Sequence, residues 1–63
     1  MKLKILRAIK GVTQYEVNLR TGIPQSKISL IERGYVEPSK NVKVLIANAL
    51  GTEADKIEWG KRE

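Results

Sequence analysis

The sequence predicts an all-α fold of five short helices, and three observations predict it. Apolar residues recur at three- and four-residue intervals, and strand-type alternation is absent. Glycine and proline fall at Gly11, at Gly22-Ile23-Pro24, between Gly34 and Pro38, and at Gly51, cutting the chain into segments of helical length. With 63 residues there is room for one compact domain and no more.

The first helix is expected over roughly Lys2 to Lys10, turning Leu6 and Ile9 inward with Leu3 or Ile5, and Gly11 ends it. Thr13-Gln14-Tyr15-Glu16 has the form of a capping box, the Thr13 hydroxyl on a free backbone N–H and Glu16 reaching back. A second helix therefore starts here and runs to about Thr21. Gly22 sits where the chain leaves it and must turn left-handed, which a residue without Cβ does cheaply. The third helix carries Ile28 and Ile31 at i, i+3 and closes at Gly34. With Val17 and Ile23 these two form a small core that fixes the angle between the second and third helices. Ser39 can cap the fourth helix, where Val42, Leu45, Ile46, Ala49 and Leu50 recur at i, i+3, i+4, i+7, i+8, and Gly51 suits its C-terminal cap. A last short helix, about Glu53 to Glu58, contributes Ala54 and Ile57. The domain so defined covers residues 1–59, with a polar C-terminal tail over 60–63.

Composition narrows the function. Twelve Lys plus Arg against seven Asp plus Glu give a net charge of +5, which favours a polyanionic partner, although a solvated lysine surface has the same composition. Without cysteine there is no disulfide or thiolate metal site, and without histidine the commonest metal ligand and neutral-pH acid/base are missing. A domain this small has no depth for a catalytic cleft and Asp55 is its one aspartate, so no enzyme, metal or cofactor is expected. Cysteine absence fits a cytosol. Lys2 and Lys4 interrupt the N-terminal apolar residues, so no signal-peptide core forms, and no segment approaches a membrane span. The expected chain is cytoplasmic and complete, without a membrane partner.

Two helices joined by a three-residue turn containing glycine, the second opening on short polar side chains, form the arrangement of a helix-turn-helix. The first turn of a helix laid in the major groove is the part that reaches base edges, which gives Gln25, Ser26 and Ser29 a purpose. Glutamine pairs bidentately with adenine N6 and N7, and serine donates or accepts at several bases. The same three residues also fit a solvated surface on which Ser26 helps to cap the helix.

From Leu6 to Ile57 the sequence resembles the lambda-repressor-like (Cro/XRE) family of DNA-binding domains. The resemblance lies in "LR" at Leu6-Arg7, "TQYEV" at Thr13 to Val17, Gly22, "QSKIS" at Gln25 to Ser29, "IERG" at Ile31 to Gly34, Pro38, and "NALG" at Asn48 to Gly51. It implies that Leu30 also faces the groove, where it can touch a thymine methyl, and that Lys27 reaches a phosphate or a guanine. It further implies that Gln14 bonds a phosphate at the start of the second helix and that Arg33, Lys40, Asn41 and Lys43 grip the backbone. Arg7, by the same resemblance, pairs with Glu32 across the first and third helices rather than with DNA, a planar guanidinium suiting a partly buried carboxylate.

The chain departs from the family pattern at four places. Asn18 replaces a usual alanine, Thr21 a frequent apolar residue, Pro24 a serine or threonine cap, and Tyr35-Val36-Glu37 a loop usually rich in Lys and Arg.

The function these residues predict is sequence-specific binding of double-stranded DNA by a transcriptional repressor or regulator. One small domain reads only a half-site, so a homodimer on a palindromic operator is expected. Ile57 and Trp59 are the candidates for its contact, tryptophan being enriched at interfaces, and they serve equally to close over the fourth helix. The alternative from another class is a protein-interaction module such as an antitoxin or adaptor subunit.

Overall fold

Four α-helices follow one another along the chain: α1 (Leu3–Lys10), α2 (Gln14–Thr21), α3 (Gln25–Glu32) and α4 (Lys40–Ala49). The computed structural model describes residues 1–59; the polar tail expected over 60–63 lies outside the described residues. The expected fifth helix is not an α-helix: Ala54–Lys56 form a single 3-10 turn. After it the chain turns extended at Ile57, and Glu58 N–H donates to the Met1 carbonyl at 2.8 Å, forming an isolated parallel bridge between Lys2 and Glu58. That pairing needs an extended backbone, which explains why the helix does not continue. The Met1 ammonium, 3.0 Å from the Glu58 carboxylate, holds that carboxyl below its ordinary range.

Local chemistry sets each helix boundary. At α2 the capping box is complete: Glu16 N–H donates to Thr13 Oγ1 at 3.0 Å, and Thr13 N–H donates to Glu16 Oε1 at 3.1 Å. Ser39 caps α4 by accepting from Val42 N–H at 3.3 Å. Gly51, at φ 70°, turns the chain out of α4, while Arg20 Nη1 donates to the Ala49 carbonyl at 2.7 Å. That bond satisfies a carbonyl group that the helix end leaves open.

The turn between α2 and α3 is braced by Asn18 and Thr21 together with Gly22. Gly22 adopts φ 78° and donates to the Asn18 carbonyl at 2.7 Å. The Asn18 side-chain amide donates to the Ile23 carbonyl at 2.6 Å. Thr21 Oγ1 donates to the Val17 carbonyl at 2.7 Å and accepts from Ile23 N–H at 3.1 Å. Pro24 opens α3 without a side-chain cap, its carbonyl accepting from Lys27 and Ile28 N–H at 3.0 Å.

Val17, Ile28, Ile31 and Ile46 are the largest side chains buried completely, joined by Leu3, Val12, Ile23, Ala47, Leu50 and Ile57. Burying each isoleucine or leucine contributes about 1.5–3 kcal/mol, so this core fixes how α2, α3 and α4 lie together. Two inward assignments are corrected. Ile9 is 64% exposed, because α1 turns Leu3 and the half-buried Arg7 inward and Ile9 lies roughly 120° from Leu3 around the helix. Leu45 is 45% exposed and Ala47 is buried instead, the inward stripe of α4 running through Val42, Ile46, Ala47 and Leu50.

Candidate nucleic-acid interface

Helix α3 divides its two faces between core and solvent. Ile28 and Ile31 anchor one side in the core, while Gln25, Ser26 and Lys27 in its first turn are exposed. Residues four apart share a helix face, which sets Gln25 beside Ser29 and Ser26 beside Leu30. Leu30 is 37% exposed and Ser29 is half-buried. The Ser29 hydroxyl accepts from Arg33 Nη2 at 3.0 Å and Nε at 3.3 Å, and the guanidinium lies 5.8 Å from the centre of the Tyr35 ring. An oxygen that already accepts two N–H groups has its own proton left to offer, so Ser29 meets a ligand chiefly as a donor.

The start of α2 is held by side chains from α1 and α3. Arg7 and Glu32 meet in a two-pronged pair, Nε donating to Oε2 at 2.7 Å and Nη2 to Oε1 at 3.2 Å. Their side chains are 16% and 3% exposed, respectively. Gln14 Nε2 donates to the same Glu32 Oε1 at 3.0 Å, and Arg7 Nη1 donates to the Val12 carbonyl at 3.0 Å. Burying a charge without such partners would be costly, and here both charges are satisfied.

Beyond α3 the cationic residues differ in their surroundings. Lys40 and Asn41, in the first turn of α4, are exposed. Lys43 is turned inward: its Nζ lies 3.0 Å from Glu37 Oε2 and 5.9 Å from the centre of the Trp59 ring. The Tyr35-Val36-Glu37 loop thus supplies an acid to a lysine expected to face DNA.

The C-terminal residues offered for a dimer contact are largely used within the domain. Ile57 is 4% exposed and packs into the domain's own core. Trp59 is half-buried against the core, and its Nε1 donates to the Ala54 carbonyl at 3.0 Å.

Sequence reasoning did not foresee the bonding of Asn18, Thr21 and Arg20, nor the tie between Gln14 and Glu32. A threonine directly before a helix-ending glycine signals a bond back to the preceding turn. Nothing local signals the Gln14 contact, whose partner is eighteen residues away. Among the described residues no group of three or more His, Cys, Asp or Glu side chains is placed to hold a metal ion, and no helix is long and apolar enough to cross a membrane.

A helix-turn-helix family model matches residues 3–57. The chain is 40% identical over 52 residues to an "Uncharacterized HTH-type transcriptional regulator y4dL" of Sinorhizobium fredii, covering 82% of this chain but 26% of that protein. It is 38% identical over 64 residues to an "Uncharacterized HTH-type transcriptional regulator y4dJ" of the same organism, covering 90% of this chain and 83% of that protein. The chain thus spans about a quarter of the first relative and most of the second. Among solved structures there is no significant match.

Proposed function

The chain belongs to the helix-turn-helix family, and from that premise we propose that it binds double-stranded DNA sequence-specifically, as a transcriptional regulator acting in the cytoplasm. The observation that carries this reading is the division of α3, with Gln25, Ser26 and Lys27 exposed in the first turn and Ile28 and Ile31 buried behind them. In the major groove Gln25, Ser26, Lys27, Ser29 and Leu30 face base edges, Gln25 suited to adenine and Leu30 to a thymine methyl. Gln14, Arg33, Lys40, Asn41 and Lys43 take the flanking phosphates, Lys43 by exchanging its exposed Glu37 partner for a phosphate oxygen. Two copies bind as a homodimer, each reading one half of a palindromic operator and repressing from it. The reading requires no catalysis, metal or cofactor.

A protein-interaction module, such as an antitoxin or adaptor subunit, is the competing reading, and salt separates the two. Each phosphate neutralised by a cation contributes about −0.9 to the slope of log affinity against log salt, so a duplex titration with Arg33, Lys40 and Lys43 engaged should give a slope of about −2.7. Affinity for duplex DNA that is absent, or flat with salt, contradicts the DNA reading.

A further inference from the structure

The network at the start of α2 does more than join α1 to α3. Glu32 Oε1 receives both Arg7 Nη2 and Gln14 Nε2, while the opposite edge of the Arg7 guanidinium receives the Val12 carbonyl. Both outer contacts fall on the segment that opens α2: Val12 directly precedes the N-cap Thr13, and Gln14 is the first helical residue. A carboxylate only accepts, so the Gln14 amide must present its NH2 group to Glu32, which fixes which end of the amide is which. One of its two N–H groups is then bound and the other remains for an external acceptor. The capping box uses the backbone N–H groups of Thr13 and Glu16, leaving those of Gln14 and Tyr15 at the helix start without an intrahelical partner.

We propose that Arg7 and Glu32 are positioning residues for phosphate binding: through Val12 and Gln14 they set the donors at the start of α2 before DNA arrives. This rests on the reading that α2 meets the DNA backbone. Its physical basis is preorganisation. A glutamine side chain free to rotate must be ordered on binding, whereas one already held by a buried acceptor loses little further freedom. The ion pair is suited to the task because its two charges cancel, so Glu32 holds the amide without presenting an uncompensated anion to the phosphate.

The test replaces the pair by apolar side chains, Arg7→Met with Glu32→Leu. Such replacements of a buried pair often preserve the fold, and this one leaves the net charge unchanged. Affinity for a mixed-sequence duplex is measured across salt concentrations for the wild type, Gln14→Ala, the paired variant, and the paired variant carrying Gln14→Ala. Gln14→Ala should weaken wild-type binding about tenfold at every salt concentration and leave the salt slope unchanged, because a neutral amide releases no counterion. The paired variant should show the same loss of affinity with the same unchanged slope, and adding Gln14→Ala to it should change affinity less than about twofold, because residues acting through one another are not additive. A Gln14→Ala loss of equal size in both backgrounds overturns the proposal. Should the paired variant fail to fold, amide exchange in the free wild type decides: one Gln14 side-chain proton exchanges more slowly than those of the exposed Gln25, and equal exchange overturns the proposal. Wild type that binds no duplex refutes the DNA reading itself, an outcome distinct from additive losses in a protein that does bind.

Discussion

Glu32 and Glu37 each accept a cation at about 3 Å, yet they stand in opposite environments. The Glu32 side chain is 3% exposed and holds Arg7 and Gln14; that of Glu37 is 51% exposed and holds Lys43. Removing one partner of a buried pair leaves an uncompensated charge and costs about 3–5 kcal/mol, whereas an exposed pair contributes about 0–1 kcal/mol. Glu32→Ala should therefore lower the thermal midpoint by at least about 10 °C, and Glu37→Ala by a few degrees at most. Circular dichroism melts of the two variants check this, and coincident midpoints would contradict the burial argument. At the same scale, Ser29 shows how a half-buried residue acquires a direction: Arg33 occupies its oxygen, so under the proposed reading its hydroxyl is left to donate to acceptors such as purine N7 or thymine O4.

The turn from α2 to α3 sets how far α3 projects, and its stability comes from bonds inside the turn. Gly22 lies at φ 78° with no atom beyond its chain neighbours within 4 Å of where a Cβ would stand, so Gly22→Ala costs the left-handed backbone preference alone, about 1–2 kcal/mol. Asn18→Ala leaves the Ile23 carbonyl without its amide donor and should cost about 1–3 kcal/mol. Denaturant unfolding of both variants tests this; an Asn18→Ala variant as stable as the wild type would mean that the amide does not brace the turn. The capped helices α2 and α4 and their boundaries were legible in the sequence, because a capping box and a serine cap are short-range chemistry within four residues. The inward faces were less so. Ile9 and Leu45 fit an apolar period, but which side of a helix turns inward is decided by its neighbours, and at α1 the half-buried arginine took a place that apolar counting gives to isoleucine. The 3-10 turn at Ala54–Lys56 was hidden for a similar reason: the residues after it pair with the opposite end of the chain. In the candidate site, the exposed first turn of α3 follows from its sequence pattern, while the Gln14 tie to Glu32 and the capture of Lys43 by Glu37 depend on tertiary placement.

At the scale of the molecule, a domain with principal extents of 28 × 22 × 20 Å is smaller than the roughly 34 Å that separates successive major-groove faces on one side of a duplex. A palindromic site therefore needs two copies, and sedimentation with a palindromic duplex should give two protein chains per duplex. With Ile57 and Leu50 committed to the core and Trp59 half-buried against it, the same experiment without DNA should give mainly monomer. One copy per palindrome would remove the dimer from the account. The central claim, that the first turn of α3 reads base sequence, is tested most directly by selecting bound sites from a random duplex pool with the wild type and with Gln25→Ala. The wild type should enrich an inverted repeat, and Gln25→Ala should relax one position in each half-site, costing about 1–3 kcal/mol on the wild-type consensus and little on random DNA. A wild-type pool with no enriched sequence, or an unchanged consensus for Gln25→Ala, would contradict it.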